Sequence, residues 1–185
     1  VRCRWIEEDY NRPYCALQPP VPLQVLDVGT GSGCIAVTLA SDLRNSAVTA
    51  WDISGDALLI ARENVHQWQV RVELKMEDVL HPSASAMQQQ FDVIVSNPPY
   101  ICEKERTAMA KNVLAYEPET ALFVPDDDPL RFYRAIAEYG LQVFSEEGTL
   151  YFETNPIYIN KVEEMLSSLG YKQIEQREDQ FGKLR

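Results

Sequence analysis

Short apolar segments alternate with helix-length segments along most of the sequence, and this alternation restricts the possible folds more than any other feature. Strands are predicted at 23–29, 47–54, 70–76, 91–97, 148–154 and 171–177, and helices at 34–43, 55–68, 128–144 and 157–170. Asp128 is the predicted N-cap of the third of these helices. After Gly182 the chain resembles the start of a further strand. The pattern indicates an α/β fold with a doubly wound, mainly parallel sheet.

The composition predicts a single globular domain with a cytoplasmic location. The sequence has 185 residues, of which 45% are apolar and 24% charged, an ordinary globular mixture. No apolar run approaches the roughly 18 residues of a membrane span, and the start lacks the pattern of a signal peptide. The four cysteines have neither metal nor redox spacing. We therefore expect free thiols, no metal, no membrane association and a cytoplasmic location.

The net charge of −11 restricts the class of partner. Proteins that hold a phosphate backbone usually carry a basic face, whereas acidic residues here outnumber basic ones by 28 to 17. The charge therefore favours a protein or small-molecule partner over a nucleic acid.

A glycine-rich loop follows the first predicted strand. Gly29, Gly31 and Gly33, with Thr30 and Ser32 between them, form "GTGSG" directly after "VLDV". Glycines allow a tight turn and a close approach of a ligand to the backbone. The G-x-G-x-G spacing differs from the G-x-G-x-x-G of dinucleotide folds. Together with Asp27 ahead of it, this spacing favours a ligand without phosphates.

Carboxylates also follow the next two predicted strands. Asp52 lies 19 residues beyond Gly33, where an acid can accept hydrogen bonds from both hydroxyls of a ribose. Asp78 could accept the amino group of adenine, and Val79 could pack on the ring. An adenosine ligand that lacks phosphates and carries a positive sulfonium, S-adenosyl-L-methionine, fits such an acidic pocket.

The fourth predicted strand ends in "SNPPYI", a stiff corner with few backbone donors. Pro98 and Pro99 have fixed φ angles and no N–H group, and Asn97 before proline is held extended. The corner therefore presents the Asn97 carboxamide and bare carbonyl oxygens, which suit a ligand that brings N–H donors.

These motifs resemble those of a known family. "VLDVGTGSGCIAVTLA" is similar to the cofactor loop of class I S-adenosylmethionine-dependent methyltransferases, and "DVIVSNPPYI" to the (N/D)PP(Y/F) signature of those that methylate a planar nitrogen. With "YEPETAL" and "DPLRFYRAI" added, the order of motifs resembles the release-factor glutamine methyltransferase family (HemK/PrmC-like).

The resemblance implies a Rossmann-like, seven-stranded sheet, whose last strand would be incomplete here. It implies methyl transfer from S-adenosyl-L-methionine to the Gly-Gly-Gln glutamine of class I peptide chain release factors. The implied cofactor contacts are Asp27, Gly29, Thr30, Gly31, Ser32, Gly33, Asp52, Asp78, Val79 and Asn97. The implied catalytic residues are Asn97, Pro98, Pro99 and Tyr100, which match the substrate-amide site of the family. The Asn97 side-chain oxygen and the Pro98 carbonyl oxygen would accept the two hydrogens of the amide, and Tyr100 would pack over it. Glu117 and Pro118 match a further family motif, to which no catalytic role is assigned.

Two departures from the family accompany this resemblance. The family's small helical N-terminal domain and linker have no counterpart, so we expect residues 1–185 to form the methyltransferase domain alone. "FETNP" at 152–156 stands where the family more often has Glu-(Ile/His)-Gly.

Two alternative functions remain open. The same corner could hold an exocyclic base amine, adenine N6 or guanine N2, of a nucleic acid whose base is flipped out. The other alternative is a non-enzymatic module that only binds an adenosine ligand, although such a module needs no residues to hold an acceptor amide.

Overall fold

A parallel sheet forms the centre of the computed structural model, which describes residues 21–43, 45–108, 119–179 and 181–184. The strands of these residues are β1 (Leu23–Val28), β2 (Ser46–Asp52), β3 (Val72–Met76), β4 (Phe91–Ser96), β5 (Ile101–Cys102), β6 (Phe123–Val124) and β7 (Phe144–Phe152). The helices are α1 (Cys34–Asp42), α2 (Gly55–Gln67), α3 (Glu119–Leu122), α4 (Arg131–Val143) and α5 (Ile159–Leu169). Five strands form the main sheet, and β5 and β6 pair separately.

The strand order of the main sheet is β3-β2-β1-β4-β7, and every pair in it is parallel. The chain runs outward from β1 through β2 to β3 and then returns to the other side of β1 with β4. The switch point of the sheet therefore lies between β1 and β4, where α/β proteins of this kind place their ligands.

One face of the sheet is covered by α1. Alternate side chains of the three central strands point to this face, as the two-residue period of a strand requires. The buried cluster consists of Val25, Ala36, Leu39, Leu43, Val48, Ala50, Val93 and Val95. Because all three central strands contribute, the cluster holds β1 between its two neighbours.

The opposite face is covered by α4, and α5 packs beside that helix. The buried cluster here consists of Leu26, Val28, Trp51, Ala86, Phe91, Ile94, Ile136, Tyr139 and Val143. The Trp51 and Tyr139 rings lie 5.1 Å apart, and the Tyr139 hydroxyl donates to the Ala86 carbonyl at 3.0 Å. Helices thus cover both faces, and the predicted doubly wound α/β class is confirmed.

The predicted strand at 171–177 is wrong. In the described residues the main sheet has five strands rather than the expected seven, and it ends at β7. A cavity of about 950 Å³ separates β7 from this segment. Side chains hold the segment to the helices instead: the Tyr171 hydroxyl donates to the Ala137 carbonyl at 2.8 Å, and the Gln176 amide to Glu163 at 2.6 Å.

The predicted N-cap of α4 is also wrong. This helix begins at Arg131 after Leu130, which provides no side-chain cap. The Asp128 carboxylate instead accepts two hydrogen bonds from the Arg134 guanidinium, each 3.0 Å long. A guanidinium provides two parallel donors that match both carboxylate oxygens, so this pairing competes with capping.

No helix among the described residues has both the length and the apolar character needed to cross a bilayer.

Ile94 lies at the centre of β4 and is fully buried between β1 and β7. Ile94→Ala should lower the free energy of unfolding by about 2–5 kcal/mol, because it removes buried apolar contacts and leaves a cavity. Urea unfolding followed by circular dichroism measures this change. Leu141→Ala, at a half-exposed position of α4, is the control and should cost less than about 1 kcal/mol. Equal losses for the two variants would contradict this description of the core.

Candidate active site

The loops after β1, β2 and β4 begin at the same level of the sheet, around the switch point. Val28 is paired with Trp51 on one side and with Ser96 on the other. Ser96 is fully buried, and its hydroxyl donates to the Val28 carbonyl oxygen at 2.7 Å. This bond ties the ends of β1 and β4 together. The predicted cofactor loop and the proline corner therefore start from neighbouring strand ends.

The glycine loop turns through three residues with positive φ, as its spacing predicts. The φ angles are +70° at Gly29, +57° at Gly31 and +82° at Gly33, a region that side-chain-bearing residues seldom adopt. A Cβ atom placed on Gly29 or Gly31 would meet nothing within 4 Å, so the outer side of the loop is open. At Gly33 the Cβ of Ala61 would lie only 3.1 Å away. The loop thus packs closely on α2 while its other side stays accessible.

A buried carboxylate supports this loop from below. Asp27 is fully buried, and its Oδ2 accepts hydrogen bonds from the Thr30 hydroxyl at 2.6 Å and from the Ala36 N–H at 3.1 Å. Asp27 Oδ1 is buried without a hydrogen-bond partner. Burial raises the pKa of Asp27 to about 6, although its two hydrogen bonds oppose the shift. Asp27 and Thr30 therefore act on the shape of the loop from within the protein.

Asp52 joins the glycine loop to the end of β2. Its Oδ2 accepts the Gly31 N–H at 2.8 Å, and its Oδ1 accepts the Ser54 N–H at 2.9 Å. Each oxygen of a carboxylate can accept more than one hydrogen bond, so Asp52 can still accept from a ligand. The next residue, Ile53, is 64% exposed and presents an apolar surface beside this acid. Ile53 is not among the candidate site residues predicted from the sequence, although an apolar residue directly after a strand-ending acid could have indicated it.

Asp78 and Val79 follow β3 at the same edge of the sheet. Asp78 accepts the Leu80 N–H at 2.9 Å through Oδ1, and its Oδ2 lies 2.9 Å from the His81 ring nitrogen Nδ1. Partial burial opposes the change, but the hydrogen bonds from His81 and Leu80 hold the pKa of Asp78 below its ordinary value. Val79 packs on the buried cluster below α4. The contact with His81 is a partnership that the sequence did not reveal.

The proline corner after β4 has an exposed carboxamide next to a buried proline. The Asn97 side chain is exposed, Pro98 is buried, and Pro99 and Tyr100 are half-buried. The Tyr100 hydroxyl donates to the Glu153 carboxylate at 3.3 Å. The corner therefore combines a stiff backbone with an exposed carboxamide at Asn97, as the motif predicts.

The segment after β7 contributes two residues that sequence reasoning did not assign to the site. The Glu153 N–H donates to the Ser96 carbonyl at 3.0 Å and so continues the pairing of β4 with β7. The Asn155 amide nitrogen donates to the Tyr100 carbonyl at 3.3 Å. Their position in "FETNP", directly after a predicted strand, is the signal that could have identified them.

Two further candidate positions, Glu117 and Pro118, belong to a part of the chain that the structure does not describe. Among the residues that the structure describes, no group of three or more His, Cys, Asp or Glu could hold a metal ion. Two of the four cysteines lie in the same described part, Cys34 exposed and Cys102 buried, and both are free thiols.

A glycine loop, a strand-ending acid and a polar corner thus lie at the switch point of a parallel sheet, where α/β proteins of this kind place their ligands. Residues 16–122 match the family model described as the methyltransferase small domain. This match covers more than half of the sequence, and the chain belongs to that family.

Several relatives carry a more specific name. A release factor glutamine methyltransferase of Bacteroides thetaiotaomicron is 48% identical over 165 residues, which are 89% of this chain and 59% of that protein. One of Flavobacterium psychrophilum is 42% identical over 160 residues, 86% of this chain and 55% of that protein. The sequence thus resembles this group, as its motifs predict, and spans little more than half the length of these relatives.

Solved structures confirm the fold. A methyltransferase from Pyrococcus furiosus superposes with a TM-score of 0.64 at 19% identity, covering 98% of this chain and 77% of that one. A ribosomal protein L11 methylase from Lactobacillus delbrueckii subsp. bulgaricus gives 0.62 at 18% identity, covering 96% of this chain and 71% of that one. The class I methyltransferase type of fold is therefore shared with proteins of very different sequence.

Asp27→Asn should change the pH dependence of stability. Because the pKa of about 6 in the folded protein exceeds the ordinary 3.8, the folded state binds this proton more tightly than the unfolded chain does. That contribution to stability is present below about pH 4 and is lost as the pH rises through 6. The free energy of unfolding of Asp27→Asn minus that of the wild type should therefore rise by about 2 kcal/mol between pH 4 and 7.5.

Urea unfolding of both proteins across this range measures the difference. The matched control is Asp56→Asn, which removes the same charge at an exposed position of α2. A difference for Asp27→Asn that stays constant with pH would show that burial does not govern this carboxyl group.

Proposed function

We propose that this chain is the catalytic part of a glutamine-N5 methyltransferase that acts on class I peptide chain release factors in the cytoplasm. The methyl donor would be S-adenosyl-L-methionine, which leaves as S-adenosyl-L-homocysteine, and the acceptor would be the glutamine of the Gly-Gly-Gln motif. The names of the 48% and 42% identical relatives support this choice of substrate.

The observation that carries the proposal is the position of the proline corner relative to the glycine loop. Asn97 follows β4 and Gly29 follows β1, and these strands end level with each other through the pairing of Ser96 with Val28. A donor on one loop and an acceptor amide on the other would meet above the switch point. A module that only binds an adenosine ligand needs the loop but has no use for the corner.

The residues around the glycine loop fit the proposed donor. The open backbone at Gly29 and Gly31 leaves room for an aliphatic chain. The Asp52 carboxylate can accept from ribose hydroxyls beyond its two backbone bonds, and the exposed side chain of Ile53 offers an apolar surface for a base. When bound, the donor supplies an electrophilic methyl group on a positive sulfonium. The nearby carboxylates Asp27, Asp52 and Asp78 favour a cation in this region.

The corner residues would hold the acceptor amide. A glutamine nitrogen is a weak nucleophile, because its lone pair is delocalised into the carbonyl group. The Asn97 side-chain oxygen and the Pro98 carbonyl oxygen would each accept one amide N–H, which leaves the lone pair directed away from both acceptors. As positive charge develops on the nitrogen, the two acceptors stabilise it more than they stabilise the ground state. The two prolines keep the acceptors in place.

This arrangement needs no strong general base in the protein. The nitrogen becomes acidic once it is alkylated, so its proton can leave to water afterwards. Tyr100 would pack over the planar amide, and its hydroxyl is held by Glu153 at 3.3 Å. The residues of the corner therefore act by orientation and electrostatics.

The direct test is to identify the methylated atom. The full-length protein is incubated with labelled S-adenosyl-L-methionine and, separately, with unmethylated release factor, total RNA and DNA, and the methyl group is located by mass spectrometry. A methyl group on the Gly-Gly-Gln glutamine is the expected result. A methyl group on nucleic acid and none on protein would refute the glutamine assignment.

Asn97→Ala should abolish most of the turnover and weaken donor binding far less, because the other implied cofactor contacts remain. We expect kcat to fall by at least about 100-fold, which is typical for the loss of an acceptor or donor aimed at developing charge. Kinetics with a release factor measure kcat, and isothermal titration calorimetry measures the affinity for S-adenosyl-L-methionine. Asn160→Ala, on the exposed surface of α5, is the control and should keep full activity. Normal turnover by Asn97→Ala would remove Asn97 from the mechanism.

Asp52→Asn should have the complementary effect. The amide oxygen can still accept the Gly31 N–H, but the amide nitrogen cannot accept the Ser54 N–H. With the charged acceptor also lost, binding of S-adenosyl-L-methionine should weaken by about 10- to 100-fold. Calorimetry measures the dissociation constant, with Asp56→Asn as the control for loss of charge nearby. If both variants bind the donor equally well, Asp52 does not contact the ribose.

A further inference from the structure

The Asn155 carboxamide is buried beside the proline corner, and both its oxygen and its nitrogen are hydrogen-bonded. Only 6% of the residue is exposed. Its Oδ1 accepts the Ile157 N–H at 3.0 Å, which fixes the orientation of the amide group. Its Nδ2 donates to the Tyr100 carbonyl at 3.3 Å and to the Glu105 carboxylate, whose oxygens lie 3.4 and 3.5 Å away.

The Tyr100 carbonyl is the point where the proline corner ends and β5 begins. At its other end the corner is fixed by Ser96, which belongs to the main sheet through its pairs with Val28 and Phe152. Within the described residues, β5 pairs with β6 and does not belong to that sheet. The downstream end of the corner therefore depends on side-chain contacts for its position.

Glu105 extends the same connection by one further bond. Its Oε1 accepts the Cys102 N–H at 2.9 Å as well as the Asn155 amide. Asn155 and Glu105 thus hold two backbone groups at the downstream end of the corner, the carbonyl of Tyr100 and the N–H of Cys102. The segment after β7 carries Asn155, and it is itself bound to β4 through the Glu153 N–H and the Ser96 carbonyl at 3.0 Å.

We propose that Asn155 is a positioning residue for methyl transfer, which holds the Tyr100 end of the proline corner by donating to the Tyr100 carbonyl. This role rests on the proposed function, in which the corner orients the acceptor amide. Asn155 acts through the backbone of Tyr100 and makes no contact with either substrate. A carbonyl oxygen and a carboxylate both need a donor, so only a side chain with two N–H groups satisfies this buried position.

The Asn155→Asp variant tests the donor at nearly constant shape. The carboxylate still accepts the Ile157 N–H, but it donates to neither acceptor and brings a negative charge next to Glu105. In the full-length protein, kcat should fall by about 10- to 100-fold, because small displacements of an orienting group have effects of this size. The affinity for S-adenosyl-L-methionine should change less than about twofold, as the glycine loop is untouched. An unchanged kcat, or a loss confined to donor binding, would overturn the proposal.

A second variant separates positioning from stability. Combining Asn155→Asp with Glu105→Gln restores one hydrogen bond with its direction reversed, since the new amide at 105 can donate to the carboxylate at 155. The melting temperature should recover, whereas kcat should stay low because the Tyr100 carbonyl still lacks its donor. Recovery of kcat together with the melting temperature would show that Asn155 serves stability alone. Asn160→Asp is the matched surface control for the added charge and should leave both quantities unchanged.

Hydrogen–deuterium exchange provides a readout that does not depend on the substrate. Asn155→Asp should increase exchange in peptides covering residues 97–105 and leave those covering 29–37 as in the wild type. If the wild-type enzyme fails to methylate release factors, the proposed function is refuted while this measurement still tests Asn155. Unchanged exchange at 97–105 would overturn the positioning role itself.

Discussion

The parallel pairing of β1 with β4 is the constraint on which the rest of the site depends. It joins two strands that are distant in the sequence, and it brings the glycine loop and the proline corner to one level of the sheet. The bond from the Ser96 hydroxyl to the Val28 carbonyl holds the two ends together inside the protein. A slip of one residue would turn every side chain of β4 to the opposite face, and the two clusters that cover the sheet prevent it.

Both halves of the site rest on buried polar groups. Asp27 holds the glycine loop through Thr30 and Ala36, and Asn155 holds the proline corner through Tyr100. Buried polar groups are costly unless they are hydrogen-bonded, and when they are satisfied they favour one geometry over its alternatives. The oxygen and the nitrogen of the Asn155 amide are both hydrogen-bonded. Asp27 keeps one oxygen without a partner, and burial raises its pKa.

The sequence predicts the parts of this structure that depend on local pattern. The central strands, most of the helices and the turns at Gly29, Gly31 and Gly33 follow from apolar periodicity and glycine spacing. The failures at 171–177 and Asp128 have a common cause, because tertiary partners on α4 and α5 replaced the expected strand ladder and helix cap. The roles of Asn155 and Glu105 could not be predicted, since their 50-residue separation gives no local signal. The roles of Asn97 and the other site residues stay predictions.

The strand order also determines when the two loops can form during folding. β1 and β2 are close in sequence and can pair early, and Asp52 at the end of β2 then accepts the Gly31 N–H of the glycine loop. The partner of Val28 on the other side, Ser96, lies 68 residues away, and contacts over such a distance form slowly because a long loop must close first. One edge of the central strand β1 therefore stays unpaired during folding until β4 pairs with it. During synthesis this exposed edge is the point at which the chain is open to wrong pairing or to a chaperone.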